Sequence, residues 1–484
     1  MPLENSRLGL FLRQCLVTAA VGINMIGYGC GFGFPGILLP QLEMPGSTIS
    51  VSVNQESWLA SVSSIPMIFG NFLIPVVMSR AGRKMALYVV TLILMMGWFV
   101  VIIATNYEML LLGMMIQGLS FGMFMPLRSV YIGECCSPRY RGGFLTATVL
   151  AQIFGILFVH FTGSLISYHL TALCSISFSL ISLILTLYSP ESPSWLATIG
   201  QHDACRENFL WLRGEDEMPE LERIIETVNL FETQERIPHT PREIITVVKK
   251  KEFYKPILLL FALYTMLSCG GAPIMGAYAV TILGLLMPKA NANFWMVALD
   301  CQRLLFTGAA IFVINKFKRR TMLFCIGSLC AGSQVLMGAY LFAKNNDYLP
   351  FDSLWIPGIL ISVQMLSISM GMQPLPAVIA GEVCPLQHRG LAGGIGVTAL
   401  SVAAFVVLKT FPGLVSVGGL EGAYAVYAGI IVTCLGVAWV LLPETSGRTL
   451  QQIEEHFRGT PMLNDDEEKL LANETKSIYF SIQK

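Results

Sequence analysis

From Gly142 to Pro190 the chain contains no Asp, Glu, Lys or Arg. A water-soluble domain carries about a quarter charged residues, so a run of this length has no place on a soluble surface. It is long enough for two bilayer crossings of about 20 residues each. Apolar runs of the same kind recur along the whole chain of 484 residues, which is 54% hydrophobic and 13% charged. In lipid every backbone N–H and C=O must be satisfied inside the protein, which favours helices for such segments. The expected fold class is an all-α membrane protein. Spans are predicted near 14–37, 57–78, 85–105, 109–130, 143–166 and 168–189, then 256–286, 293–315, 321–343, 354–380, 391–415 and 421–442.

One polar stretch interrupts this pattern near the middle. It carries Arg206, Glu207, Arg213, Glu215, Asp216, Glu217, Glu220, Glu222 and Arg223, then Lys249, Lys250 and Lys251. The chain therefore divides into a six-helix bundle (1–189), a helical linker (190–252), a second six-helix bundle (253–442) and a tail (443–484). Short loops place Arg80, Arg83, Lys84, Arg139, Arg141, Lys316, Lys318, Arg319, Arg320 and Arg389 on one side, against isolated Lys289, Lys344 and Lys409 on the other. By the positive-inside rule both termini and the linker are expected in the cytosol, in a multi-pass protein of the plasma membrane. Arg7 and Arg13 precede the first run with no small-residue cleavage site, which predicts an uncleaved first span. The tail is expected to be disordered after about Gly459, and the Asn473 sequon is discounted as cytosolic.

Composition excludes several functions. Net charge is zero, which suggests no nucleic-acid partner. The 12 Cys show no metal spacing; most read as small buried hydrophobes, and juxtamembrane Cys135 and Cys136 as candidates for acylation. No nucleotide-binding loop is present, so ATP is not expected to drive the protein. No nucleophile, base and orienting group occur together, so no enzyme and no cofactor are expected. The partners expected are the bilayer and a small-molecule solute; nothing in the sequence speaks to oligomeric state.

The two halves carry matching punctuation. Ser79-Arg80-Ala81-Gly82-Arg83-Lys84 follows span two, and Asn315-Lys316-Phe317-Lys318-Arg319-Arg320 follows span eight. Glu134 precedes Arg141-Gly142 after span four as Glu382 precedes Arg389-Gly390 after span ten. Pro190-Glu191-Ser192-Pro193 follows span six as Pro443-Glu444-Thr445 follows span twelve. A parallel repeat of six-span halves is the signature of major facilitators. The set, with Leu210-Trp211-Leu212-Arg213-Gly214 and Leu450 to Phe457, resembles the sugar porter family from span one to Phe457, and most of all its insect facilitated trehalose transporter-like group. The resemblance implies two six-helix bundles, alternating access and a gating network of Arg83, Glu134, Arg141 and Glu191 with Arg319, Glu382, Arg389 and Glu444, pairing across the halves.

The same resemblance implies a sugar site whose usual polar residues are here replaced. Family Gln and Asn positions in span seven match Thr265, Met266 and Gly271; a span-five Gln matches Val149; a span-four Arg matches Met114; a span-ten Trp matches Ala377; a span-eleven Asn matches Leu400. Polar residues left inside apolar runs are Asn24, Gln152, Thr265, Ser268, Tyr278, Gln302, Gln364 and Gln373. They are the candidate substrate-binding set, each competing with a helix-to-helix hydrogen bond. Gly270, Gly271 and Pro273 predict a discontinuous span seven. Asp300 and Arg303 stand at i, i+3 in span eight, unusual charges inside a membrane span; they read either as a pair that neutralises itself or as a substrate contact or coupling site. The function expected is facilitative transport of a small polar solute, by resemblance a sugar such as trehalose or a hexose. A non-transporting nutrient sensor and a transporter of another solute stay open as alternatives. With Gly29 rather than an acid after Gly27-Tyr28, and Asp300 held ionised by Arg303, no proton stoichiometry is expected.

Overall fold

The computed structural model describes residues 7–45, 47, 49–222, 225, 250–314, 316–348, 354–384, 389–445 and 450–458. The Asn473 sequon, the tail beyond Arg458, and Lys249 with most of the segment before it lie outside the described residues.

The first half begins with α1 (Arg7–Leu42), which at 1.5 Å per residue runs ~54 Å. Next come α2 (Val53–Ser61) and α3 (Ser64–Ala81), which together form one crossing. Ser52 and Gln55 start α2 with a reciprocal capping box. Then follow α4 (Arg83–Ile102), α5 (Tyr107–Cys135), α6 (Pro138–Gly163) and α7 (Tyr168–Tyr188). Asn106 caps α5 by accepting the Met109 N–H at 2.9 Å. Two short helices follow, α8 (Pro193–Thr198) and α9 (His202–Arg213), the latter ended by Gly214 at φ +75°.

The second half holds α10 (Lys251–Cys269), α11 (Ala272–Leu286), α12 (Ala292–Ile314), α13 (Arg319–Asn345) and α14 (Trp355–Ser367). A π-turn (Ile368–Met372) joins α14 to α15 (Pro374–Val383). The long α16 (Arg389–Leu441) and the amphipathic α17 (Leu450–Arg458) complete it. Among the described residues, eleven apolar helical stretches are long enough to cross a bilayer. The last of them counts twice: 53 helical residues span ~80 Å at 1.5 Å per residue, and the run breaks at Gly419, φ 67° and ψ 178°. No strand occurs among the described residues.

Small residues let the first bundle close tightly. A Cβ on Gly29 would lie 2.1 Å from the Gln152 carbonyl oxygen, and one on Gly155 2.2 Å from that of Ile26, so α1 and α6 cross backbone to backbone. The halves meet along three seams: α1 against α11, α6 against α12, and α16 against α2 and α3. The linker docks on the first half, where Gln14 of α1 donates to Leu212 O at 3.1 Å and Arg13 to Trp211 O at 3.0 Å. By contrast α17 packs on α10 and α15 of the second half. The termini and linker thus share one face of the molecule, here the linker face; the opposite end is the far face.

Candidate functional site

On the linker face the two halves build the same cluster twice. Helix α4 leaves free N–H groups at its start, and Glu191 accepts from Arg83 N at 2.8 Å and Lys84 N at 3.1 Å. Arg83 forks onto Glu134, with Nε 2.8 Å from Oε2 and Nη2 donating to Oε1 at 2.9 Å, while Nη1 donates to Met78 O. In the second half Glu444 accepts from Arg319 N at 3.0 Å and Arg320 N at 3.3 Å. Arg319 Nε lies 3.4 Å from Glu382, and Nη1 donates to Ile314 O. Gly82 adopts φ +90° beneath Glu191, whereas Lys318 sits at φ −62°, open to any residue, so its replacement of a glycine costs no strain.

Among the described residues each cluster closes on its own half, and none of the described ion pairs of the network crosses between the halves. Arg141 turns to the linker instead, reaching Glu220 at 3.1 Å and Cys136 O at 2.8 Å. Arg213 joins it with Glu220 at 3.0 Å and Glu134 O at 2.8 Å. The linker lies within reach of the first half, so its carboxylates meet these arginines. Arg389 opens α16, but its side chain lies outside the described residues. Cys135 and Cys136 are wholly buried, so neither thiol is presented for acylation.

The interior polar residues separate into engaged and unengaged groups. Asn24 donates to Thr91 Oγ1 at 2.7 Å, Ser268 to Tyr264 O at 2.9 Å, Gln302 to Ser362 O at 2.7 Å, Gln364 to Gly270 O at 2.7 Å and Tyr278 to Leu408 O at 3.1 Å. These bonds tie a helix to its neighbour or to its own backbone. Thr265 Oγ1 is buried without a partner, and Gln152 is half-buried. Gln373 accepts from Arg303 Nη2 at 2.9 Å, while Arg303 Nε and Thr307 Oγ1 remain buried and unpartnered. Asp300, Arg303 and Thr307, at i, i+3 and i+7, share one face of α12.

Asp300 does not pair with Arg303, which corrects the reading of the two as a self-neutralising pair. Its Oδ2 lies 2.5 Å from Nδ1 of His160 on α6, across the seam between the halves. A carboxylate buried at an interface takes the nearest donor in space, and α6 presses one directly against it. His160 Nε2 faces Gly33 O at 3.1 Å and Gly276 O at 3.4 Å, contacting α1 and α11 as well. Toward the far face, Lys409 Nζ of α16 donates to Asn54 Oδ1 and Ser57 Oγ, each at 2.8 Å, and lies 4.3 Å over the Trp58 ring. The seam is thereby closed at the far face.

Sequence reasoning missed His160, Lys409 and Thr307. A signal for His160 existed, since an imidazole within a charge-free run is as unusual there as a carboxylate. Lys409, isolated on the sparsely charged side, gave only an orientation signal.

Comparison with known proteins agrees with this architecture. The family model described as "Sugar (and other) transporter" matches residues 15–457. The facilitated trehalose transporter Tret1 of Apis mellifera ligustica is 25% identical over 453 residues, 93% of this chain and 89% of that one. That of Culex quinquefasciatus is 25% identical over 446 residues, 92% of this chain and 85% of that one. The inward-open xylose transporter XylE from E. coli superposes with a TM-score of 0.73 at 17% identity, covering 92% of this chain and 99% of that chain. At that identity the likeness establishes the fold, two six-helix bundles in a multi-pass membrane protein.

Proposed function

The chain belongs to the sugar (and other) transporter family, and from that premise we propose that it carries a sugar, trehalose or a hexose, down its gradient across the plasma membrane by alternating access. The observation that carries this reading is the pairing of two internally closed halves with a seam sealed at one end. Each half keeps its own Arg–Glu–Glu cluster, so each is rigid by itself. The polar contacts that join them toward the far face are Lys409 with Asn54 and Ser57 and His160 with Asp300, set among apolar ones such as Trp58 on Phe405. Two rigid bodies with a breakable seam are what alternating access requires. The linker face is the cytosolic one, since Arg80, Arg83, Lys84, Arg139, Arg141, Lys318, Arg319 and Arg320 lie at the helix ends there.

The solute site lies between the halves, at Thr265, Gln152, Arg303, Thr307 and Gln373. A polyhydroxylated solute both donates and accepts, and the buried Thr265 Oγ1, Thr307 Oγ1 and Arg303 Nε have no protein partner to give up. The site lacks the amides of the family pattern, each worth about 0.5–1.5 kcal/mol net. Plain hexoses are therefore bound weakly.

The test is counterflow of labelled trehalose and glucose into liposomes holding the purified protein. Equilibration of either sugar above the protein-free rate, reduced by Thr265→Val and Thr307→Val, is the expected result. Binding without flux would replace this reading with a sensor, and flux of a non-sugar alone would move the substrate class.

A further inference from the structure

We propose that His160 and Asp300 form a proton-binding site shared by the two halves, and that the far face closes only when this site holds a proton. The proposal rests on the transport reading for its physiological meaning but not for its chemistry. Hydrogen positions follow here from what surrounds the imidazole. Nε2 faces only carbonyl oxygens, Gly33 O at 3.1 Å and Gly276 O at 3.4 Å, so that nitrogen must carry hydrogen to be satisfied. Nδ1 lies 2.5 Å from Asp300 Oδ2, so a second hydrogen must lie between these two atoms. The pair then holds one proton more than a neutral imidazole beside an ionised carboxylate. Whether it is written as imidazolium with carboxylate or imidazole with carboxylic acid, the count is the same.

Removing that proton leaves no acceptable arrangement. With hydrogen on Nε2, the Nδ1 lone pair meets a carboxylate oxygen. With hydrogen on Nδ1, the Nε2 lone pair meets two carbonyl oxygens. Either is a buried acceptor facing acceptors, since the His160 side chain is 1% exposed and that of Asp300 11%. The α6–α12 seam must part to admit water, so the deprotonated pair belongs to the far-open state.

Other titratable groups on the packed elements do not supply the hydrogen. On α1, Tyr28 bonds Ser120 and Cys30 faces Gly155 O; on α11, Tyr278 bonds Leu408 O. On α5, Tyr107 and Glu108 lie in its first turn, and on α7, Tyr168, His169 and Cys174 include His169 directed at Ile102 O. On α12, Cys301 is exposed and Arg303 is bound to Gln373; α14 and the π-turn carry no titratable side chain. Arg303, one turn along α12, is bound to Gln373 and makes no ion pair with the carboxylate.

Because the pair is sealed while the far seam is closed, its proton enters and leaves from the far side. The site makes opening depend on far-side pH without carrying protons through, which agrees with downhill transport. The reporter is a cysteine placed by Ser57→Cys behind Lys409, in a background with Cys174, Cys301 and Cys325 changed to Ser. An impermeant thiol reagent is applied to the full chain in liposomes, with no sugar present, across far-side pH. Because the thiolate is the reacting species, each rate is divided by the rate of the same reagent with a free thiol at that pH; the corrected rate of the parent should rise with pH, its slope approaching tenfold per pH unit for one proton. In Asp300→Asn the amide donates to Nδ1 with no added proton; in His160→Gln the amide donates to the carboxylate. Both variants should label slowly with a flat pH profile. A flat parent profile, or a parent-like slope in both variants, overturns the proposal. Sugar counterflow measured on the same vesicles separates the readings. A steep parent slope without sugar flux sinks the sugar reading alone, and sugar flux with a flat slope sinks the proton site alone.

Discussion

Glu191 stands before the backbone N–H groups of Arg83 and Lys84 and also accepts that of Ser192 at 2.8 Å. Burial pushes its carboxyl above the ordinary value of 4.5, opposed by these N–H groups and by the Arg83 guanidinium. A carboxyl whose folded pKa is raised contributes stability present below the unfolded pKa and lost as pH rises through the folded one. The melting temperature of the parent relative to Glu191→Gln should therefore rise as pH falls from 7 toward 4.5; a difference that stays constant or shrinks would refute this. Gly82→Ala offers a second check. At φ +90° a side chain costs roughly 1–2 kcal/mol, and the new Cβ would lie 2.4 Å from Glu191 Oε2. Lys318→Gly, at φ −62°, should cost no more than about 1 kcal/mol, so the two melting shifts should differ clearly. The Arg83 and Arg319 clusters were legible in the sequence because their spacing repeats between the halves. The His160–Asp300 pair was not, because its members are 140 residues apart and neither recurs in the other half. Spacing shows only which residues share a helix face. It favoured Arg303 as the partner of Asp300, and tertiary proximity favoured His160.

Helix breaks mark the second half at Gly271, at Tyr278 within α11, at Ile368–Met372 and at Gly419. At Gly271, φ +111° separates α10 from α11, as the glycines and Pro273 foretold. The carbonyls freed there are met by side chains, since Gln364 donates to Gly270 O at 2.7 Å and Gln334 to Cys269 O at 3.0 Å and Gly270 O at 3.2 Å. Gln364, a cavity candidate by composition, thus supports the break from behind. Its replacement by Leu leaves a buried carbonyl with one fewer donor and should cost about 1–3 kcal/mol, measured as a lower melting temperature. Gln334→Leu should cost more on top of Gln364→Leu than it does alone, because both donate to Gly270 O and only the double variant leaves that carbonyl without an amide donor. Strict additivity of the two would mean that the amides act independently of the break. The π-turn at Ile368–Met372 and the turn at Gly419 had no such signal. A single glycine in a glycine-rich apolar run does not announce its φ, although the length of α16 demands a break somewhere within it.

At the scale of the whole molecule, contacts within each half and contacts between halves do different work. Arg83 with Glu134 and Arg319 with Glu382 tie helices of one bundle together, so weakening them should soften a bundle without choosing a conformation. Lys409 with Asn54 and Ser57 joins α16 to the start of α2, so weakening it should shift the balance between conformations without softening either bundle. Two hydrogen bonds and a ring contact at a half-buried ammonium amount to about 1–2 kcal/mol, a factor of roughly 5–30 in an equilibrium. Lys409→Met keeps the length of the side chain and removes its donors. It should raise far-face thiol labelling by about that factor while leaving the melting temperature nearly unchanged. Arg83→Gln should do the reverse, lowering the melting temperature with labelling unaltered at constant pH. If Arg83→Gln also opens the far face, the first half does not move as a rigid body. If Lys409→Met leaves labelling as it was, the seam is held by the apolar contacts of α1 with α11 rather than by its polar ones.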